Sequence, residues 1–421
     1  MFTFLRRAAW VLPALGTLWA STLRAEPCSP ISRENLVRCA LSRGLEARVA
    51  EANVQAATAR VTASDPWLPQ NPALTLTAAQ RRAAGESALN WSASLAIELE
   101  VAGQRGARRA SAQADREAQQ RLLSASARST AAAALRAYFG TLAARDARAV
   151  LERLAAASQR AFEAARAASE RGAASGVEAE VLDATRISVE RRKLDAARDE
   201  ASAQALLASL LGQNPALPVE VSGSLTPLAA AARVRARMRL PDSAELLSLA
   251  AERRAAELQA SALRRSRVPN PTVSLFVERD GFAEDVVGVG LAFPLPLPEP
   301  LGRTARGAIA ESEALAQRAA TLLEKGRRDA QAELVRALAA YDAARAGVAL
   351  LDESRIARAE SGLVNLAGEA QSGRLAIRDA IVLQQPLLEL LLGAIEAKKA
   401  LCLASIEVVQ VSGLALDGGE Q

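Results

Sequence analysis

The feature that most constrains the fold is a segment that occurs twice, at residues 71–109 and 270–307. Each copy opens with Asn-Pro and continues as two alternating apolar/polar runs with a polar loop between them. A Gly/Arg stretch then leads into a long helical sequence. The first residues of the two copies are 199 positions apart, and so are Gly103 and Gly302. Two landmarks at one offset predict a duplicated architecture.

The alternating runs have one apolar face and one polar or small face. The apolar face comprises Leu74, Leu76, Ala78, Leu89, Trp91, Ala93, Leu95, Ile97 and Leu99 in the first copy and Val273, Leu275, Val277, Val287, Val289, Leu291 and Phe293 in the second. A period of two predicts β-hairpins with one apolar side. Strands of about ten residues with the apolar side outward suit a membrane barrel. Two hairpins packed on a soluble core are the alternative.

The N-terminus has the pattern of an export signal. Arg6 and Arg7 precede the apolar run 8–20, and Ala25 is a small residue suited to cleavage, so residues 1–25 are predicted to be a signal peptide. Beyond it no run of eighteen apolar residues indicates a membrane-spanning helix. Export without such a helix, combined with amphipathic strand pairs, favours the periplasm or an outer membrane.

The three cysteines allow two interpretations. Cys28 and Cys39 are close in sequence, and an exported protein permits a disulfide between them, which leaves Cys402 unpaired. Alternatively, all three are small packed side chains. The residues before Cys28, Ala-Glu-Pro, fit a lipid-attachment signal poorly, because small or apolar residues are expected there.

Long helices are predicted for most of the remaining chain. Aromatic residues make up only 3% of the sequence and histidine is absent, whereas alanine, arginine, leucine and glutamate dominate. The expected helices are 34–63, about a hundred residues after Gly106 with a bend at 172–176, 244–266 with Ser243 as cap, and about a hundred residues from Ala305. A helix of that length spans ~150 Å, which suits a coiled-coil tube or stalk.

The predicted organisation follows from these elements. It comprises a signal peptide (1–25), a first repeat (26–215, hairpin about 71–100), a linker (216–241), a second repeat (242–413, hairpin about 270–296) and a polar tail (414–421). Opposite charges are interspersed rather than blocked, which argues against nucleic-acid binding. Without histidine there is no His-based catalytic triad or metal site, so neither enzymatic activity nor a cofactor is expected.

The whole pattern resembles the outer-membrane efflux proteins, the TolC-like channels. The matching segments are Trp67-Leu68-Pro69-Gln70-Asn71-Pro72, Leu99-Glu100-Val101-Ala102-Gly103-Gln104-Arg105-Gly106, Gly172-Ala173-Ala174-Ser175, Glu180-Val181-Leu182-Asp183-Ala184, Leu210-Leu211-Gly212, Leu240-Pro241, Val268-Pro269-Asn270-Pro271 and Phe293-Pro294-Leu295-Pro296-Leu297. The Pro-Leu-Pro-Leu run and the Val-Ala-Gly-Gln-Arg-Gly segment most resemble the CzcC-like heavy-metal-efflux subunits.

The resemblance implies a mainly helical fold with a small β part. In that family a homotrimer forms one pore, in which each chain contributes four strands to a twelve-stranded outer-membrane barrel and its helices to a periplasmic tunnel. Implied partners are outer-membrane lipid, a periplasmic adaptor and a resistance-nodulation-division (RND) pump of the inner membrane. Expected cargo is metal cations or other small solutes; drugs or secreted polypeptides are the alternative. A periplasmic coiled-coil adaptor without a pore is the alternative of another class.

The sequence departs from the family pattern in two places. Glu34 lies 37 positions before the first hairpin, whereas Glu245 lies 25 positions before the second, so the second ascending helix either starts earlier or is about three turns short. The family often carries an aspartate pair near the closed end of the tunnel. Asp379 matches one of these positions, but Val382 occupies the other.

Candidate functional residues fall into three groups. Acids near the lower end of the tunnel, Glu180, Asp183 and Asp379, are gate candidates, because a trimer would repeat each into a carboxylate ring. The alternative is that they are ordinary surface acids paired with nearby arginines.

Trp67 and Trp91 are candidates for the membrane–water boundary, with simple packing as the alternative. Gly172 and Gly373 mark predicted helix ends that an adaptor would contact; plain helix termination is compatible with that role.

Overall fold

The computed structural model describes residues 28–83, 86–172, 175–229, 231, 243–279, 284–295, 297, 305–371, 374, 377–414 and 416. The helices are α1 (Arg33–Arg43), α2 (Leu45–Ala63), α3 (Gln104–Glu170), α4 (Gly176–Leu210), α5 (Ala244–Arg265), α6 (Arg306–Leu350), α7 (Glu353–Gln371) and α8 (Ile377–Ser412). The strands are β1 (Ala73–Ala83), β2 (Glu86–Glu98), β3 (Thr272–Arg279) and β4 (Asp285–Ala292). The expectation of a mainly helical chain with a small sheet is confirmed. The predicted signal peptide, Gly373 and most of the predicted tail lie outside the described residues.

The two hairpins form one antiparallel sheet in the order β1-β2-β3-β4. Leu95 in β2 pairs with Leu74 in β1 and with Leu275 in β3, and Leu275 pairs with Val289 in β4. Directly paired residues lie on the same face of a sheet, so this row of apolar side chains crosses all four strands on one side. The repeats therefore meet through β2 and β3, a pairing that their separate sequences do not specify.

The helices are long because few residues interrupt them. α3 has 67 residues, which corresponds to ~100 Å, and it contacts α2, α4, α5 and α8 along its length. Alanines such as Ala132 and Ala134 are fully buried in α3, where their small side chains let neighbouring helices approach closely. Among the described residues, no helix is both long and apolar enough to cross a bilayer.

The first ascending helix is not continuous, contrary to the prediction of one helix over 34–63. Gly44 adopts an extended conformation between α1 and α2, and a Cβ at this position would lie 2.4 Å from the Ala40 carbonyl oxygen. The break also explains the apparent shortening of the second repeat. α2 begins at Leu45 and α5 at Ala244, and each start lies 26 residues before the Asn-Pro of its hairpin. The interval from Glu34 to the first hairpin therefore contains two helices, α1 and α2, whereas the interval from Glu245 to the second hairpin contains only α5.

The second long helical stretch also contains a break that the sequence analysis missed. α6 ends at Leu350, and Asp352 begins the next turn, where its Oδ1 accepts hydrogen bonds of 2.7 Å from both the Ser354 hydroxyl and the Arg355 amide. These two hydrogen bonds lower the pKa of the Asp352 carboxyl, and the bond from Ser354 has the larger effect. The Asp-Glu-Ser sequence is a helix-start signal, so the break was visible in principle.

The buried core is divided between two places along the helices. The larger cluster surrounds Tyr138 and Phe139 in the middle of α3 and includes the segment before α1, the end of α4 and parts of α6 and α8. A smaller cluster joins α3, α4, α7 and α8 further from the sheet, around Leu154 and Leu391. Cys28 and Cys39 form a disulfide within the larger cluster, and Cys402 is buried there as a free thiol. The interpretation of all three as unbonded side chains is therefore wrong for the first two.

Candidate functional site

One face of the sheet carries large apolar side chains that are exposed. Leu76 and Val289 are each 72% exposed and Val287 is 77% exposed. Leu74, Leu89, Trp91, Leu95, Leu275, Val277, Leu291 and the flanking Leu99 and Phe293 are exposed as well. No helix among the described residues covers this side. A contiguous apolar surface of this kind marks contact with a membrane or with another protein.

The opposite face carries mostly polar and small residues, with Phe276 and Val286 as its large apolar exceptions. Thr75, Ser94, Phe276 and Gly288 form one row across the four strands, and Ser274 pairs with Gly290 in the next. Phe276 occupies the space that a side chain at residue 288 would need, because a Cβ there would lie 2.4 Å from the Phe276 Cζ atom. The glycine in this strand is therefore required by the neighbouring ring. The predicted alternation is thus observed, apart from Phe276 in β3 and Val286 in β4 on the polar side.

The sheet has two open edges. β2 and β3 each pair on both sides, whereas β1 and β4 each pair on one side only within the described chain. The outer edges therefore present backbone N–H and C=O groups without strand partners. Such groups cannot remain unsatisfied inside a bilayer.

A polar network joins the hairpins to α3 where helices and strands meet, an end that we call the base of the sheet. Asn270 Nδ2 donates to Glu98 Oε1 at 2.7 Å, and Gln104 Nε2 donates to Asn270 Oδ1 at 3.0 Å. Gln104 Nε2 also donates to the Val268 carbonyl oxygen at 3.2 Å. These bonds fix the second hairpin to the first residue of α3. Sequence reasoning identified Asn270 only as a repeat landmark and missed Gln104, although both lie in the segments that carry the family resemblance.

Glu100 lies at the base as well. Its side chain is only 6% exposed and its Oε1 is paired with Arg108. Its other oxygen, Oε2, has no hydrogen-bond partner in the described part of the chain, and Glu100 borders a cavity of about 690 Å³ between α2, α3 and α5. A buried carboxylate oxygen is normally hydrogen-bonded, and the cavity is large enough for water to reach it.

The two candidate interface tryptophans lie in different settings. Trp67 is 78% exposed beside the base of the sheet, and the Arg105 guanidinium carbon lies 4.0 Å from the centre of its ring. Arg105 also donates to the Asp65 carbonyl oxygen, which holds the turn before β1 against α3. Trp91 lies on the apolar face of β2 and pairs with Ala78 and Arg279.

The candidate gate acids lie near the helix ends furthest from the sheet. Glu180 and Asp183 follow the start of α4, and Asp379 lies at the start of α8. Asp183 is paired with Arg186 at 2.7 Å, and Arg186 in turn lies 5.3 Å from the centre of the Phe162 ring. Within the described residues, no three acidic, cysteine or histidine side chains are grouped so as to hold a metal ion. The structure thus places these acids at the same end of the helices but not in one cluster.

Gly172 ends the turn after α3 with φ of 70°, a left-handed conformation that favours glycine. α4 then begins at a cap, where the Ser175 hydroxyl accepts from the Val177 amide at 3.2 Å and Glu178 Oε2 accepts from the Ser175 amide at 3.3 Å. This helix end is therefore defined by local geometry. Its counterpart at Gly373 lies outside the described residues.

The match with known families falls on the first repeat. Residues 36–213 match the outer membrane efflux protein family. The matched stretch contains the first hairpin, α3 and α4, and it is less than half of the chain. None of the curated proteins matches.

Solved structures extend the likeness to nearly the whole chain. The outer membrane protein VceC of Vibrio cholerae superposes with a TM-score of 0.73 at 16% identity, over 91% of this chain and 96% of that chain. The MtrE outer membrane channel of Neisseria gonorrhoeae gives 0.71 at 18% identity over 91% and 89%. CusC, described with transmembrane channel formation, gives 0.71 at 14% identity over 91% and 92%. This chain therefore has the fold of these channel proteins.

Proposed function

We propose that the chain is one subunit of an outer-membrane efflux channel and acts as a passive conduit. The observation that carries the proposal is the two-faced sheet, whose large apolar side chains are exposed while its polar and small ones lie on the other side. Water is an unfavourable medium for such a surface, and the hydrocarbon of a bilayer is a favourable one. The family match of the first repeat and the channel fold support the same conclusion.

The channel is proposed to be a homotrimer. β1 and β4 leave two open edges, and a closed barrel is the arrangement of strands that a bilayer tolerates. Pairing β4 of one copy with β1 of the next would close three four-stranded sheets into twelve strands. The polar face would then line the lumen, and the apolar face would contact outer-membrane lipid. The long helices would continue the lumen as a tunnel into the periplasm.

The proposed partners are a periplasmic adaptor and an inner-membrane RND pump, which would supply the energy for transport. Metal cations are the proposed cargo, on the basis of the CzcC-like resemblance of Phe293-Pro294-Leu295-Pro296-Leu297 and of the segment Val101–Gly106. Drugs or secreted polypeptides are the second candidate cargo. A periplasmic adaptor without a pore fits poorly, because it would leave the apolar sheet face in water.

Within this channel, Glu180, Asp183 and Asp379 are proposed to line the end of the tunnel away from the barrel. Three copies of each would form carboxylate rings that favour cations. Gly172 and Gly373 would mark the helix ends that the adaptor contacts. Trp67 and Trp91 are proposed to lie at the membrane–water boundary, as barrel aromatics do.

Adjacent residues on β2 provide a sharp test of which face meets lipid. Leu95 lies in the apolar row, three residues before β2 ends at Glu98, and Ser94 lies on the other face. A Leu95→Lys change would cost ~2–4 kcal/mol per chain if its side chain lies at the bilayer midplane. Ser94→Lys, with the same new charge one residue away, is expected to cost far less because its ammonium would reach the water-filled lumen. Folding of each variant into lipid vesicles, followed by gel migration of the intact trimer, measures the difference.

Two results would contradict the proposed function. One is equal loss of folded trimer in the two variants, which would mean that the faces are not distinguished by lipid. The other is a wild-type protein that fractionates as a soluble periplasmic monomer. The cargo is tested separately by growth of a deletion strain on a panel of metals and dyes. Sensitivity to dyes alone would reject metal export while leaving the channel intact.

A further inference from the structure

Arginines are concentrated at the base of the sheet. They come from the start of α3, the end of α5 with the turn after it, and the start of α6, namely Arg105, Arg108, Arg109, Arg264, Arg265, Arg267 and Arg306. We call these seven residues the arginine collar. The segments that carry it and the turn beside it (64–67, 99–109, 262–270 and 305–308) contain only two carboxylates, Asp65 and Glu100. Glu98 at the base and Glu313 beside Arg264 are two further acids, so the seven arginines exceed these four carboxylates by three positive charges.

Part of the collar is neutralised by neighbouring acids. Arg105 and Arg109 contact Asp65, Arg108 contacts Glu100, and Arg264 lies 3.5 Å from Glu313. The remaining three arginines, Arg265, Arg267 and Arg306, are exposed and have no acidic partner within the ranges that the structure describes. Among the described residues, no carboxylate neutralises these three positive charges.

The collar directly adjoins the exposed apolar surface. Leu99, Val101 and Phe293 are exposed at the ends of the strands, and Trp67 lies under the Arg105 guanidinium. An apolar band that ends in an aromatic ring and then in arginines matches the order of hydrocarbon, interface and headgroup across one leaflet. Guanidinium groups bind phosphate oxygens through paired hydrogen bonds, which suits them to the phosphates at that level.

We propose that the arginine collar binds the phosphate headgroups of anionic phospholipids in the leaflet that faces the helices. The proposal rests on the proposed function, since it requires the sheet to lie in a bilayer. Beyond membrane insertion, the collar would give the protein a preference for anionic lipid, which a barrel without these arginines would lack. Each basic side chain near an anionic surface contributes about fivefold in affinity, so the three unpaired arginines together account for about a hundredfold.

Vesicle association of the purified full-length protein tests the proposal. The vesicles contain phosphatidylcholine alone or phosphatidylcholine mixed with phosphatidylglycerol, and co-flotation measures the bound fraction. The wild-type protein is expected to prefer the anionic vesicles, and added salt is expected to reduce the preference because it screens exposed charges. The variant Arg265→Gln/Arg267→Gln/Arg306→Gln is expected to lose about a hundredfold of this preference while still binding phosphatidylcholine.

A matched control removes the same charge elsewhere. Arg160, Arg191 and Arg192 are exposed on α3 and α4, far from the sheet, and the variant Arg160→Gln/Arg191→Gln/Arg192→Gln should retain the wild-type preference. Three results would each overturn the lipid proposal and leave the channel proposal standing. They are equal binding of the wild-type protein to both vesicle types, a preference that does not depend on salt, and an equal loss of preference in the control variant. Failure to bind either vesicle would instead count against the membrane barrel itself. The salt series uses only the wild-type protein, so a salt-independent preference would overturn the proposal even if a variant does not fold, and the two variants assign a salt-dependent preference to the collar.

Discussion

Removal of the disulfide between Cys28 and Cys39 should release the segment before α1 from the core. The bond joins two residues 11 positions apart, and both sulfurs are buried. The segment that it anchors is bonded to the chain after α4. The Ile31 amide donates to the Glu220 carbonyl oxygen at 2.8 Å, and the Ser222 amide donates to the Ile31 carbonyl oxygen at 2.9 Å. The perturbation is the double change Cys28→Ala with Cys39→Ala.

The expected magnitude follows from the length of the closed loop. In the chain-entropy model, a crosslink that closes a loop of this size removes ~3 kcal/mol of conformational freedom from the open state. The bond spans a local segment, so the loss should appear as local opening rather than as unfolding of the long helices. An opening free energy that falls by ~3 kcal/mol corresponds to an open population about a hundredfold larger.

Hydrogen exchange of the Ile31 and Ser222 amides measures that opening. Both amides should exchange about a hundredfold faster in the double variant, and the wild-type protein treated with reductant should behave in the same way. The amide of Phe139, which lies at the centre of α3, should be unaffected and serves as the internal control. A change in Ile31 and Ser222 below about fivefold would refute the reasoning, because the crosslink would then add little to the packing of Ile31, which is fully buried.

Three further predictions follow. Gly288→Val should destabilise the sheet by ~1–3 kcal/mol, because the new side chain would collide with the Phe276 ring. Adding Phe276→Ala to the same chain should restore trimer formation. Wild-type stability of Gly288→Val alone would contradict the observed strand register. Asp183→Asn should change stability by less than ~1 kcal/mol, since its partner Arg186 is partly exposed. The same variant should lower the cation selectivity of the channel in planar bilayers. An unchanged reversal potential would show that Asp183 is not a gate residue. Burial raises the pKa of the Cys402 thiol from its ordinary value of 9.0 to about 12, so the folded protein keeps this proton at pH values where the unfolded thiol ionises. Stability should therefore fall as pH rises from 9.0 to about 12. Over the same interval the native thiol should resist alkylation, as intact mass would reveal.

The two faces of the strands could be predicted from the sequence, because they depend on a period of two residues. Alternation predicts that Leu95 and Ser94 lie on opposite faces, and the strand register confirms it. The helix start at Ser243 was likewise predicted from its side chain, and the Ser243 hydroxyl accepts from the Leu246 amide three residues later. Predictions of this kind succeed because the interacting atoms are close neighbours along the chain.

The errors occurred where a helix was assumed to be continuous. Gly44 and Asp352 interrupt helices whose composition alone favours continuation. At Gly44 the backbone is extended, and its amide donates to the Ala40 carbonyl oxygen at 2.8 Å. Propensity summed over a window does not register a single residue of this kind, because its effect depends on what the chain contacts.

The sequence by itself determined the repeated order of elements, the long helices and the two-faced strands, because each follows from patterns of neighbouring residues along the chain. Only the tertiary structure decided that β2 pairs with β3 and that Gln104, at the start of α3, donates hydrogen bonds to Val268 and Asn270 before β3. Those contacts join residues more than 150 positions apart in sequence, such as Gln104 and Asn270. Their formation depends on the folded path of the whole chain, which no local pattern encodes.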